Sequence, residues 1–351
     1  MSKKVKIISH NDLDGHGCPL VLSDFYLSLD PETDFNVEHI GDYSKVDDAV
    51  NGFLNWKEAH TYDAFYITDL SMNKAETAEA LDKFAADHPH IDIRLIDHHK
   101  SALWLNAHEW AIVKVYDENK KMESGTSLCY KYVRDVLAPL HEESESNIDE
   151  EGRKRWVYMN HLNAESFADI VTSYDTWAWK NDPDNKHGNM AREFNQLFYL
   201  VGAQVFAKRM MMKDLNITME GHEKLLIEVD NRQRDAYIAK KMNYARLCEL
   251  PDGNTFVFIY AEREKNDIAD AVFDKFQEEK PLFMVLRDHE KLSFRTRGSD
   301  FDVSALASNF SGGGHKAAAG GAIQNPDCVH NNRFIEKVVY YYKQLKTEVS
   351  K

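Results

Sequence analysis

The sequence predicts an α/β fold: a mostly parallel sheet in an N-terminal domain, a helical link, and a smaller α/β domain at the C-terminus. Three observations predict it. Apolar strand-like runs alternate with helix-like segments through the first half, the pattern of parallel strands joined by long crossovers. The length, 351 residues, exceeds what a single hydrophobic core usually supports. Composition changes near Pro251–Gly253, where a turn signal opens a second set of strands. The domain reading is therefore 1–188, 189–250 and 251–351.

In chain order, strands are expected over Lys4–Ser9, Ala64–Asp69, Ile91–Asp97 and Trp110–Tyr116. Helices are expected over Pro19–Leu29, Lys74–Ala86 and Thr126–Leu137. The charge-dense stretch 141–155 reads as a solvated connection. Ala164–Asp175 returns to a mixed apolar pattern ending in "SYDTW", and 189–247 reads as continuously helical, rich in Met, Lys, Glu and Leu and free of proline. Beyond it come the strand-like "NTFVFIY" and a helix over Asp267–Phe276. A hairpin over Leu282–Arg297 follows, then a helix over Val303–Phe310, a glycine-rich loop and a last helix over about 329–345.

Composition limits the partners. The formal net charge is −15, whereas a protein that grips long nucleic acid presents a basic groove that displaces counterions from many phosphates. Short anionic substrates touched by a few basic groups remain compatible. The apolar runs fall well short of the roughly 18–20 residues that span a bilayer. "MSKKVKIISHND" has no apolar segment of signal-peptide length, so no membrane partner and a cytoplasmic location are expected. Cys18, Cys129, Cys248 and Cys328 are scattered and form no CxxC pair, which suits reduced thiols and not a structural zinc site.

The chemistry gathers where predicted strands end. The first ends in His10, Asp12 and Asp14, the second in Asp69, the third in Asp97-His98-His99, and "DIVTSYDTW" brings Asp175. Ligands of open α/β sheets bind at the carboxyl ends of strands. An aspartate there is commonly a helix cap or a turn residue. Several carboxylates on one sheet edge, however, repel each other strongly unless a cation sits among them. Four carboxylates and two imidazoles without thiolate favour Mn²⁺, with Fe²⁺, Co²⁺ or Mg²⁺ as competitors. Six ligands exceed what one ion needs, so two divalent ions roughly 3.5–4 Å apart are expected, lowering the pKa of a shared water and steadying a phosphoryl centre.

This ordered set, H-x-D-x-D, a lone Asp, D-H-H and a later Asp, resembles the DHH phosphoesterases over the first 175 or so residues. The resemblance implies that His10 and Asp12 bind one ion, that Asp14, His98 and Asp175 bind the other, and that Asp69 bridges them. It implies that His99 faces substrate and that Asp97 orients the histidines. Asp175 is preferred to Asp169 because "YDTW" is like the family's D-T pattern.

"NFSGGGHKAAAGG" (309–321), preceded by "SFRTRGS" (293–299), resembles the DHH-associated C-terminal domain, which faces the metal site across a cleft. By that likeness the run Gly312, Gly313 and Gly314 with His315 holds a substrate phosphate, the amides of Gly313 and Gly314 pointing at it. Arg295 is the expected bidentate phosphate partner, ahead of Arg297. Trp177 and Trp179 read as core or interdomain packing, with base stacking as the alternative; Met210–Met212 reads as helix packing.

The resemblance points to the compact nanoRNase and oligoribonuclease branch. The expected activity is hydrolysis of RNA fragments of two to five nucleotides to mononucleotides. Phosphodiesterase or phosphatase activity on cyclic dinucleotides, pApA or 3′-phosphoadenosine 5′-phosphate is the alternative, and a binding protein that has lost its chemistry is a third reading. No long duplex is expected as a partner, and a homodimer is compatible with the sequence.

Overall fold

The structure is a computed structural model that describes residues 2–139, 161–182, 184–323 and 331–349. The stretch 141–155 and Cys328 lie outside the described residues. The chain divides into two compact units, Met1–Ile227 and Glu228–Lys351. The expected link at 189–250 is shared between them: α7 (Asn189–Val201) and α8 (Ala203–Met212) pack with the first unit, and the division falls inside α9 (Gly221–Met242). The helical run is broken at Gly202, whose φ of +80° separates α7 from α8, and it gives way to a strand at Arg246.

The first unit is built on five parallel strands in the order β2-β1-β3-β4-β5. They span Lys4–His10 (β1), Asp34–Ile40 (β2), Ala64–Thr68 (β3), Asp92–Asp97 (β4) and Ala111–Val113 (β5). Alternate side chains of β1, β3 and β4 enter opposite cores. Ile7, Tyr66 and Ile96 join Phe25, Leu128 and Phe167 on one face, while Ile8, Phe65, Ile67 and Leu95 join Val50, Phe53 and Leu81 on the other. Burial on both faces explains why these strands read as continuous apolar runs. The first face is covered by α1 (Leu13–Leu29), α4 (Gly125–Tyr132) and α5 (His161–Asp175), which the short α6 (Ala178–Asn181) follows, and the second by α2 (Val46–Leu54) and α3 (Ala75–Asp87). Strand β2 escaped the sequence reading because "DFNVEHI" lies at the sheet edge with mostly exposed side chains.

One expectation is corrected. Asp175 does not end a strand; it is the last residue of α5, whose Phe167, Ala168, Ile170 and Val171 are buried at helical spacing.

The second unit carries a six-stranded sheet in the order β10-β11-β9-β8-β7-β6, antiparallel except for the parallel pair β7–β8. Its strands are Arg246–Glu249 (β6), Thr255–Tyr260 (β7), Phe283–Asp288 (β8), Lys291–Arg295 (β9), Gly313–His315 (β10) and Ala318–Ala322 (β11). On one face Ile268, Val272 and Phe273 of α10 (Lys265–Lys275) meet Val257, Ile259 and Met284. On the other, Leu306 of α11 (Val303–Ser308) and Phe334 and Val338 of α12 (Asn331–Val349) meet Phe258, Val285 and Phe294. The glycine-rich loop of the sequence reading is in fact the edge pair β10–β11. No helix among the described residues is long and apolar enough to cross a membrane.

Asp24 of α1 is buried, and that burial, with Asp214 nearby, pushes its carboxyl up to about 7 from an ordinary 3.8. Between those values the unfolded chain has released the proton and the native chain still holds it, so stability falls as pH rises through the interval. Asp24→Asn is expected to raise the thermal midpoint at pH 8 by ~5 °C and to leave it nearly unmoved at pH 4, as read by calorimetry at the two pH values.

Candidate active site

The carboxyl ends of β1, β3 and β4 lie side by side in the first sheet, and each is followed by groups that a strand interior could not accommodate. After β1, Asp12 caps α1: its Oδ1 accepts from the Gly15 amide at 2.9 Å. Gly15 has no alternative at that corner, because a Cβ there would stand 2.3 Å from the His10 carbonyl oxygen. Asp14, in the first turn of α1, is buried and accepts from the Gly125 amide at 2.6 Å and the Thr126 amide at 2.8 Å. Those amides open α4, whose Ser124 cap is closed reciprocally by Ser127. A helix N-terminus thus holds the Asp14 carboxylate in place.

Asp69 follows β3 in the left-handed region, at φ +55°, and is 2% exposed. Such a conformation costs of order 1–3 kcal/mol and survives where surrounding structure enforces it. Here the Asp69 amide donates to Ile96 O at 3.0 Å, and Gly125 packs so closely that a Cβ on it would lie 2.7 Å from Asp69 Cβ. After β4, Asp97 Oδ1 accepts from the His98 amide at 2.8 Å and lies 2.8 Å from His99 Nδ1.

The structure brings the expected ligands into two adjoining groups. His10 Nδ1 lies 2.9 Å from Asp12 Oδ2 and 3.7 Å from Asp69 Oδ2. His98 Nε2 lies 3.7 Å from Asp14 Oδ2, 3.7 Å from Asp175 Oδ2 and 3.2 Å from Asp69 Oδ1. In each of the sets His10/Asp12/Asp69 and Asp14/His98/Asp175 the donor atoms fall within 4.8 Å of one another, so Asp69 touches both. Asp169, the other aspartate of that helix, is paired instead with Lys186.

Charge is unbalanced in this cluster. Burial and then the neighbouring Asp14, Asp12, Asp175 and Asp97 push the Asp69 carboxyl well up. Burial, Asp14 and Asp12 push Asp175 up to about 8. Burial also raises Asp12, but its bonds with His10 and the Gly15 amide outweigh that and leave it below the usual range. Asp69 Oδ2 is buried with no hydrogen-bond partner. An orphaned carboxylate oxygen among repelling carboxylates and neutral-capable imidazoles, with no thiolate, fits hard or borderline divalent cations.

In the second unit, Arg295 ends β9 and donates to Phe294 O at 3.0 Å and Asn266 Oδ1 at 3.3 Å, with no carboxylate at ion-pair distance among the described residues. Arg297 is engaged by Asp274 at 2.6 Å and Asp270 at 3.7 Å. His315 is exposed at the end of β10, opposite Ala318. Gly312 and Gly314 are needed for backbone contact: Cβ atoms on them would meet Gly320 O at 1.9 Å and Ala318 O at 2.7 Å. Space is open at Gly313 alone of the three.

Several site residues escaped the sequence reading. Tyr43 lies with its ring 4.9 Å from that of His10 and 6.0 Å from that of His99. His16 and His39 stack at 3.6 Å, and His39 Nδ1 reaches His10 O at 2.8 Å. Gly125 and Thr126 act through amides, which leave no side-chain signature.

Residues 253–343 match the DHHA1 domain. Over 322 residues the chain is 29% identical to oligoribonuclease NrnB of Bacillus subtilis (strain 168), covering 90% of this chain and 72% of that protein. The chain thus carries a DHHA1 domain at its C-terminal end. Among solved structures the chain is similar to an exonuclease RecJ bound to manganese, with 16% identity, 97% of this chain and 90% of that chain covered, and a TM-score of 0.54. It is also similar to the pGpG-specific phosphodiesterase PggH from Vibrio cholerae, with 12% identity, coverage of 96% and 99%, and a TM-score of 0.49.

Since a cation bound only by the folded cluster stabilises it by mass action, Mn²⁺ is expected to raise the thermal midpoint by several degrees. Asp69→Asn should lose most of that increase, yet in chelator at pH 8 it should melt at or above the wild-type temperature, because one repelling carboxylate is gone. Gly125→Ala should lower the midpoint in both conditions.

Proposed function

We propose that this protein is a DHH phosphoesterase that hydrolyses RNA fragments of two to five nucleotides to mononucleotides, with two divalent cations, Mn²⁺ foremost, held by His10, Asp12, Asp14, Asp69, His98 and Asp175. The observation that carries the reading is the pair of adjoining ligand groups that meet at Asp69, whose buried Oδ2 has no hydrogen-bond partner. When bound, the ions would lower the pKa of a water and offset charge on the phosphoryl oxygens. The chain is a phosphoester-hydrolysing enzyme, and its relative NrnB is an oligoribonuclease.

The protein's own groups divide the remaining work. Asp14, fixed by two amides, and Asp69, fixed by its strained backbone, keep the ligand spacing rigid. Asp97 occupies Nδ1 of His99 and raises its proton affinity, which leaves Nε2 as the atom that carries a proton. From there the proton would pass to the sugar oxygen as its bond to phosphorus breaks and the water oxygen bonds to phosphorus. In the second unit Arg295 and His315, with the open backbone at Gly313, would hold a terminal phosphate. A net charge of −15 suits a substrate with few phosphates, because no extended basic groove has to be satisfied. The free thiols of Cys18, Cys129 and Cys248 suit a reducing, cytoplasmic compartment.

A ladder of labelled 2- to 24-mers incubated with Mn²⁺ tests this. Rapid loss of the 2- to 5-mers with the longer species persisting is expected. Asp69→Ala should lower kcat/KM by ~10³-fold or more, and His99→Ala should lower kcat by ~10²–10⁴-fold. Preferential loss of the 24-mer, or faster turnover of cyclic di-AMP than of pApA, would overturn the proposed substrate class.

A further inference from the structure

Residues 174–179 hold a feature that the metal chemistry does not use. Tyr174 and Trp179 pack against the first-unit core with ring planes 7° apart and centroids 6.3 Å apart. Trp177 extends the stack beyond Trp179 at 6.3 Å and 26°. It is not core: 45% of it is exposed. The Arg192 guanidinium lies 5.8 Å from the Trp179 ring and Lys180 Nζ lies 5.8 Å from the Trp177 ring, and cations so placed interact favourably with the rings.

The backbone makes the choice of residue odd. Trp177 sits at φ +60°, ψ +16°, a left-handed conformation that a bulky residue adopts at a cost. Its duties there are main-chain ones: its amide donates to Tyr174 O at 3.1 Å, and its carbonyl accepts from Lys180 and Asn181, each at 3.1 Å. Glycine would perform them without strain, as it commonly does after a helix end. An indole left 45% exposed in a strained position indicates that the ring itself is wanted.

Its location says for what. Trp177 follows the cluster residue Asp175 by two positions, so their Cα atoms are at most ~7 Å apart, about the reach from a scissile phosphate to the base of the same nucleotide. We infer that Trp177, backed by Trp179 and Tyr174, is a nucleobase-stacking subsite that holds the nucleoside next to the bond being cut. This rests on the oligonucleotide reading and specifies it. Stacking tolerates any base but grips purines over a larger face, so the subsite favours purines modestly without reading sequence.

The test compares wild type, Trp177→Gly and Trp177→Tyr, each as the full chain with Mn²⁺. The substrates are pApA, pUpU and a dinucleotide analogue lacking both bases. For Trp177→Gly the KM for pApA should rise about tenfold, with a smaller rise for pUpU and convergence with wild type on the baseless analogue. Trp177→Tyr should recover most of the loss. The thermal midpoint of Trp177→Gly should equal or exceed that of wild type, since glycine relieves the strain. An unchanged KM in Trp177→Gly while wild type cleaves pApA overturns the inference and leaves the function standing, whether or not the variant alters self-association. If wild type cleaves neither pApA nor pUpU, the oligonucleotide reading itself has failed.

Discussion

Mutual repulsion of carboxylates is the constraint around which the first unit is organised. Asp12, Asp14, Asp69, Asp97 and Asp175 converge from β1, β3, β4 and the end of α5, and at least three of them are buried. The chain tolerates this by using dipoles rather than opposite charges. The N-terminal amides of α4 hold Asp14, the Gly15 amide holds Asp12, and the His98 amide holds Asp97. Asp69 gets no such support at Oδ2 and bears the largest share of the imbalance. Leaving one carboxylate oxygen unsatisfied at the shared corner of two ligand sets is costly in a bare protein and favourable only when positive charge arrives there.

This constraint reaches into the packing. Gly15 and Gly125 let α1 and α4 approach the strand ends closely enough for their amides to act; a single added carbon at either would collide with His10 or Asp69. The left-handed turn at Asp69 aims its carboxylate between the two groups. Glycines, strained torsions and buried charge therefore belong to one device.

Sequence reading recovered what side chains announce. The apolar runs of β1, β3 and β4 and the polar clusters that end them were legible because burial on both faces and crowding of Asp and His leave strong patterns. The fold class held for the same reason. The edge strand β2 was lost because its exposed face carries Asp, Asn and Glu. The β10–β11 pair was lost because its glycines and alanines serve backbone approach and carry no hydrophobic alternation. Asp175 was placed on a strand end because its chemistry was clear and its 3.6-residue periodicity was not weighed. Tyr43, His16 and His39 lie near His10 through tertiary contacts that no local spacing encodes.

The surroundings of the cluster follow from its sign. A lysine or arginine beside these aspartates would pair with them and compete with the divalent ions. None is among the groups that shift Asp12, Asp69 or Asp175. The neighbours are instead neutral π surfaces: Tyr43 against His10, the His16–His39 stack, and the Tyr174–Trp179–Trp177 stack beyond Asp175. Rings can grip the flat, uncharged parts of a nucleotide without neutralising the carboxylates, while the phosphate is left to the cations. Arg295, a guanidinium with no carboxylate partner among the described residues, belongs to the other unit. On the proposed reading, a chain with net charge −15 would select a nucleic-acid fragment by dividing recognition between stacking, ions and a few separate cations, a division that holds only while the fragment is short.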